Sequence, residues 1–514
     1  MNTLVKNQHA ALPLLSALFP ILFLLAQNIE QTAFSRVIVP IIIVLIVSFV
    51  LYIVLALILR NMGKAALIVS FFTIVFFSFG HLQSILEQIV IGGIDVGRDR
   101  YILIGLSVIF FAVSMVIVKT KKDISRVIRF FMIALSALVA MSLIQIAVFV
   151  ITVYRIPQSD NRTVPVMSRG VPDDSLLPDI YYIILDGYAN ARTLEYVYNF
   201  DNSEFLAQLG NRGFFVASKS RSNYAQTHLS LASSLNMKYI NDLGERVGAT
   251  SEDRTETYKL IKDNEVSRFL KLNGYRFVHV SSGSTEMTDK NEFADLDFRS
   301  SKFDEFTTTV LEVSALYPFI RQVIEADARK RILYSFEALS KIPSLRGPKF
   351  VFAHILIPHP PYVFGPNGEP LENPQIKIDG DNYWRFKEHY LNQLLFANKK
   401  TLAVVDNILS GSRVPPIIIL QGDHGTASTG KGEKGFEDVS ELFIKERMKI
   451  FNAYFLPGYK GIISRSITPV NSFRIIFNYY FGTKFELLPD KIYFSLYSTP
   501  YLFRDVTEIA DQDF

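Results

Sequence analysis

The sequence predicts an α-helical membrane domain of five spans followed by an α/β domain with a mainly parallel sheet flanked by helices. Three observations carry this expectation. Long uninterrupted apolar runs are confined to about the first 153 of 514 residues. Beyond residue 179, short runs rich in β-branched and aromatic residues alternate with helical patterns. Between the two lies a polar, proline-containing stretch without periodicity. The expected organisation is therefore a membrane domain at 1–153, a linker at 154–178 and a second domain at 179–514.

The apolar segments lie near 11–27, 37–59, 65–80, 101–118 and 130–153. Each is about long enough to cross a ~30 Å hydrocarbon core. The first lacks a small-residue cleavage site and is followed by four more, so it reads as an anchor and not a signal peptide. Lys6, Arg60 and Lys64, and Lys119, Lys121, Lys122, Arg126 and Arg129 all fall on one side, which the positive-inside rule assigns to the cytoplasm. Arg98 and Arg100 on the opposite side are accompanied by Asp95 and Asp99. Five spans then place everything after about Tyr154 outside the cytoplasm, with the chain in the cytoplasmic membrane. Charged residues are nearly absent from the spans, which argues against an ion or proton relay and for an anchor or lipid-facing platform.

Composition narrows the chemistry. Lys and Arg number 53 against 49 Asp and Glu, with no basic patch of the kind nucleic acid requires. The absence of cysteine excludes disulfides, thiolate metal sites and cysteine nucleophiles, and suits an oxidising exterior. "NRT" at 161–163 fits a glycosylation acceptor, a match short enough to arise by chance.

In the second domain, "IYYIIL" (180–185), "FFVAS" (214–218), "RFVHV" (276–280), "FVFAHILI" (350–357), "PIIIL" (416–420) and "FNAYFL" (451–456) read as strands. Several lack alternation, as strands covered on both faces do. "ETYKLIKDNEVSRFLKLNG", with Gly274 as its stop, and "KEHYLNQLLFANKKTLAVVDNIL" read as helices. In open α/β sheets ligands bind beyond the carboxyl ends of the strands. Those ends carry Asp186, then His359 in "HPPY" with His354 five residues earlier, and then Asp423 and His424 in "GDHG". Carboxylates with imidazoles suit a divalent ion without thiolate help; Mn, Zn and Mg are not distinguished.

Each residue also has a plainer reading. Asp186 alone could be a turn former, and His354 could be packed in the core. The Asp423-His424 pair is the most specific, because adjacent ionisable residues ending an apolar strand are costly without a partner, and Gly422 and Gly425 allow close backbone approach. Thr227 stands at the expected start of "THLSLASSLN", where a hydroxyl gains from the helix N-terminal field; it could equally be only a cap.

The order "LDGY", "SNYAQT", "HPPY", "GDHG" resembles the alkaline phosphatase and sulfatase superfamily. More narrowly, it is similar to the membrane-bound branch that includes lipoteichoic acid synthase and the lipid A phosphoethanolamine transferases. The resemblance covers about 179–500 by motif order and the whole chain by architecture. It implies a sulfatase-like extracytoplasmic domain with Asp186, Asp423 and His424 as ligands of a divalent metal and Thr227 as the nucleophile that also touches it. It implies that His359 lies near the transferred phosphate and can bind a second metal, with His354 as a further histidine of that region. No histidine follows His424, which puts a complete second metal site in doubt, and "THLSL" lacks the Cys/Ser-x-Pro-x-Arg pattern of sulfatases.

The function implied is a membrane-anchored phospho-group transferase working through a covalent phospho-threonine, with a phospholipid or other phosphorylated donor and a glycan or other envelope acceptor. A membrane-tethered phosphatase, phosphodiesterase or sulfatase-type hydrolase is the first alternative. A non-catalytic scaffold is the second; its signature, loss of a ligand or nucleophile, is absent. Arg221 and Asn223 are candidate substrate contacts or second-metal neighbours, with Trp384 and Arg385 behind them; Asn398 and Lys399 read better as a solvated helix face.

Overall fold

The computed structural model describes residues 2–86, 89–91, 94–154, 177–375, 384–461 and 463–514. Most of the expected linker and the 161–163 acceptor lie outside the described residues. The chain divides into two compact units, one of residues 1–157 with 303–324, the other of 158–302 with 325–514.

The first unit is built on α1 (Asn2–Asn28), α2 (Phe34–Leu59), α3 (Met62–Phe77), α4 (Phe79–Leu86), α5 (Asp99–Lys119) and α6 (Ser125–Tyr154). Four of these helices are long and apolar enough to cross a membrane, and α3 with α4, bent by 40°, makes a fifth if the pair is one span. Exposed Leu57, Ile58, Val116, Phe130 and Ile133 cover the outward faces, as lipid requires and water would penalise. Lys64 Nζ donates to the carbonyls of Val118 (2.7 Å) and Thr120 (2.9 Å), so the start of α3 and the end of α5 share one side. That is the pairing the loop charges require.

The second unit carries a seven-stranded sheet. Its strands are β1 (Ile180–Leu185), β2 (Phe215–Val216), β3 (Arg276–Val280), β4 (Leu296–Phe298), β5 (Lys349–Ile355), β6 (Ile417–Gln421) and β7 (Asn452–Phe455). Their order is β2-β7-β6-β1-β5-β3-β4. Strands β6, β1, β5, β3 and β4 are mutually parallel; β7 pairs antiparallel with β6, and the edge strand β2 pairs antiparallel with β7 and so shares the direction of the central strands. Every residue of β1, β5 and β6 is buried, which accounts for their continuous apolar sequences.

Several details differ from the sequence expectation, among them the split of one helix and an added edge strand. The single helix expected over 256–274 is two, Thr255–Lys262 and Glu265–Leu272, because Asn264 accepts from Ser267 N (2.8 Å) and starts a new helix. Gly274 follows the second at φ +85°, in the left-handed conformation a stop requires. The edge strand β4 was not expected; three residues of mixed polarity carry no periodic signal.

Candidate active site

The three central parallel strands β6, β1 and β5 are neighbours, so residues just beyond their carboxyl ends meet. Asp186 follows β1, His354 lies in β5 with His359 beyond it, and Asp423 and His424 follow β6. Thr227 opens helix α7 (Thr227–Asn236), which is otherwise wholly buried: small and apolar residues fill most of it, and the polar His228 and Asn236 are hydrogen-bonded. The N-cap position belongs to Gln226, whose side chain makes no cap bond. The Thr227 hydroxyl turns instead to His424 Nε2, at 3.1 Å.

The histidine tautomers follow from their fixed partners. His424 Nδ1–H donates to the Gly425 carbonyl at 2.8 Å, which leaves Nε2 with its lone pair toward Asp186, Asp423 and Thr227. His359 Nδ1–H likewise donates to the Pro360 carbonyl. His424 Nε2 lies 3.5 Å from Asp186 Oδ1 and 3.4 Å from Asp423 Oδ2. Both of those carboxylate oxygens are buried without a hydrogen-bond partner. The other oxygens are committed: Asp423 Oδ1 accepts from Gly187 N (3.0 Å), and Asp186 Oδ2 lies 3.2 Å from His354 Nε2. One ligand atom each from Asp186, His359 and His424 falls within 4.8 Å of the others, as does a set from Asp186, His354 and Asp423.

Two buried, unsatisfied carboxylate oxygens aimed at one imidazole lone pair and one hydroxyl are costly alone and fit a divalent cation. The residues present therefore fit the expected metal, which oxygens of Asp186 and Asp423, His424 Nε2 and the Thr227 hydroxyl could hold. His354 is bonded on both nitrogens, to Asp186 and, through Nδ1, to Thr288 Oγ1 at 2.8 Å. It orients a carboxylate, as outer partners of metal ligands do. Thr227 and His359 alone of this group are part-exposed, and so form the accessible lip.

Burial works to raise the Asp186 carboxyl, but the His359 and His354 imidazoles outweigh it and hold the group below the usual carboxylate range. Burial, helped by the Arg447 guanidinium, pushes His424 down to about 4, against the pull of Asp423 and Asp186. Without a bound ion, the unfolded chain therefore binds a proton between about pH 6.5 and 4 that the folded chain refuses, and stability falls as pH drops through that window. The expected loss is about 3 kcal/mol between pH 7 and 4, measured as a falling denaturation midpoint in chelator that His424→Gln flattens.

The glycines of "GDHG" answer to close packing. A Cβ on Gly425 would stand 2.1 Å from the Glu446 carbonyl, and one on Gly422 2.4 Å from that of Tyr188. Gly425→Ala should cost about 3 kcal/mol, read from thermal unfolding of the purified chain. Gly187, at φ +69°, leaves room for the Trp384 ring, which a Cβ would meet at 2.6 Å. Trp384 lies edge-on to His359, with centroids 5.1 Å apart.

Arg221 and Asn223 are engaged elsewhere. Arg221 forms an ion pair with Asp511; Asn223 donates to the Lys491 carbonyl (2.9 Å) and accepts from Val470 N (2.9 Å). Ser222, between them, has its Oγ 2.6 Å from the Asp423 carbonyl. Asn398 is buried between Tyr188 and Asn202, Lys399 is tied to Pro366 and Asn367, and Arg385 is exposed. Three supports of the site carry no signal in the sequence. Arg447 Nε donates to the Ala225 carbonyl (2.7 Å) and Nη1 to that of Gly425 (3.2 Å), joining the approach to Thr227 with the loop after His424. Glu446 accepts five hydrogen bonds from Thr426, Ser428 and Thr429 and fixes that loop. Thr288 sets His354. No local pattern marks any of the three.

No family model matches the chain, and no curated protein matches it. Solved structures do. The chain is similar to bacterial phosphoethanolamine transferases. The C-terminal periplasmic domain of EptC from Escherichia coli matches with a TM-score of 0.44 and 11% identity over 67% of this chain and 97% of that one. Its complex with Zn matches at 0.44 and 11%, over 68% and 100%. The integral membrane lipooligosaccharide phosphoethanolamine transferase EptA from Neisseria meningitidis matches at 0.36 and 12%, over 87% of this chain and 88% of that one. All lie below a TM-score of 0.5, and the reading of the site rests on its own geometry.

Proposed function

We propose that the chain is a membrane-anchored, metal-dependent enzyme that transfers a phospho-group from a phospholipid or other phosphorylated donor to a glycan or other envelope acceptor. It does so through a covalent phospho-threonine at Thr227, on the non-cytoplasmic side of the cytoplasmic membrane. The observation that carries this reading is the Thr227 hydroxyl 3.1 Å from His424 Nε2, among carboxylate oxygens of Asp186 and Asp423 that have no other partner. A divalent ion held by Asp186, Asp423, His424 and Thr227 supplies Lewis acidity to the hydroxyl and to the phosphoryl oxygens.

The residues of the chain do the rest. The first turn of α7 holds the Thr227 oxygen and points its free N–H groups at incoming negative charge. The Thr227 oxygen forms a bond to phosphorus as the bond to the departing alcohol breaks. His359 at the lip, whose Nδ1–H is held by the Pro360 carbonyl and whose Nε2 keeps its lone pair, takes the proton Thr227 gives up and passes it to the departing oxygen. An acceptor hydroxyl then attacks the phospho-threonine, its proton passing by the same imidazole to the Thr227 oxygen as the Thr227–phosphorus bond breaks. Trp384 walls the lip beside His359 and excludes water from part of it.

Intact-mass spectrometry of the full chain after incubation with vesicles of total bacterial phospholipid tests this. A head-group mass on Thr227 that persists until a glycan is added supports transfer. An adduct that turns over rapidly in water alone makes the chain a hydrolase, and absence of any adduct with metal bound removes the covalent step.

A further inference from the structure

Residues 303–324 come after four strands of the soluble domain in sequence, yet they pack in the membrane unit. Helix Glu305–Glu312 buries Phe306 and Val310 in one cluster with Leu25, Ile29, Val37, Phe77 and Ile146. Asp304, which caps that helix, pairs with Arg36 at 3.7 Å. Two backbone bonds fasten the end of the segment to the break between α3 and α4: Gly80 N donates to the Val313 carbonyl (3.1 Å) and Ala315 N to that of Phe76 (2.8 Å). The approach is so close that a Cβ on Gly80 would stand 2.6 Å from the Val313 Cα.

This fixes the depth of the segment. Helix α3 has 16 residues and begins at the side marked by Arg60 and Lys64, so Phe76 stands roughly 22 Å above that side. The hydrocarbon core is ~30 Å thick, which puts Phe76 and the backbone bonded to it just inside the opposite boundary. From that point Leu316, just before helix Tyr317–Lys341, and Phe319 and Val323 in its first turns, spaced by three and four residues, are 41%, 73% and 48% exposed. Water would penalise three large apolar side chains on one face; the acyl boundary rewards them.

We propose that residues 314–324 form an interfacial element that lies in the leaflet opposite the Lys64 side, with Leu316, Phe319 and Val323 inserted among the lipid chains. The occupant of this face is lipid, because its backbone is bonded at the turn between α3 and α4 and the segment is anchored in one apolar cluster with residues of α1, α2, α3 and α6 of the membrane unit. The inference is independent of the chemistry at Thr227.

Trp384 is the single tryptophan of the chain, so an introduced one can be followed by difference. Full-length Phe319→Trp would be placed in nanodiscs of phosphatidylcholine, with or without bromine at the 6,7 positions of one acyl chain. The emission gained over the parent chain should fall by at least about half in the brominated discs, as a side chain some 5–10 Å below the surface requires. Val323→Trp should behave alike and serves if the first variant fails to fold. Equal emission in the two discs overturns the proposal: red-shifted, it places the face in water; blue-shifted, it places a protein partner there.

Discussion

Thr227→Ala should abolish covalent labelling of the chain by phospholipid and lower turnover by at least about a thousandfold, while divalent-ion binding persists with reduced affinity. The asymmetry arises from the contacts of the side chain. Among the described residues its hydroxyl reaches only His424 Nε2, and Gln226 rather than Thr227 occupies the helix N-cap, so the loss of Oγ1 leaves α7 and the packing behind it in place. Thr227→Ser keeps the oxygen and should retain labelling. Intact mass and lipid-alcohol release measure both variants. Undiminished labelling of the alanine variant would move the nucleophile elsewhere; labelling lost together with the thermal transition would mean the variant merely unfolds.

The second large effect runs in opposite directions for binding and stability. Asp423→Asn should weaken divalent binding by at least about a hundredfold, beyond what loss of an outer partner costs. In chelator the same change should leave the melting temperature unchanged or raise it by about 2–4 °C. In the ion-free chain Asp423 Oδ2 is buried without a partner and faces Asp186, while Oδ1 needs only to accept from Gly187 N. An asparagine keeps that acceptor and removes a buried charge. Metal titration by calorimetry and thermal unfolding in chelator, on the same preparation, check the two halves. Destabilisation of the metal-free variant by several kcal/mol would make Asp423 a structural anchor and not a ligand.

Much of the second domain could be read from the sequence because its central strands are buried on both faces. That burial writes continuous apolar runs, and β1 and β3 begin and end where the runs do. Edge strands carry less: β2 keeps two residues of the five expected, and β4 gave no signal. Asp186, His359, Asp423 and His424 were legible from position, since each stands just past a buried run and parallel strands bring their carboxyl ends to one rim. The supports of those residues were not legible. Thr288 meets His354, and Glu446 meets the loop after His424, through contacts that no spacing in the chain encodes. Residue type and nearness to Thr227 in sequence point to Arg221 and Asn223, whereas Ser222 between them is the one that reaches Asp423. The return of 303–324 to the membrane unit was equally silent, because "EFTTTVLE" reads as any short helix and its place is set by Gly80 and Arg36, far upstream.

In the proposed enzyme Asp186, Asp423, His424 and Thr227 share one ion. Anomalous diffraction from crystals of the chain grown with Zn, collected on both sides of the metal absorption edge, tests it most directly. One strong peak is expected about 2.0–2.2 Å from an oxygen of Asp186, an oxygen of Asp423 and His424 Nε2, with Thr227 Oγ1 beside it. A fully occupied peak elsewhere, with the Asp186 and Asp423 oxygens still without a cation, would contradict it.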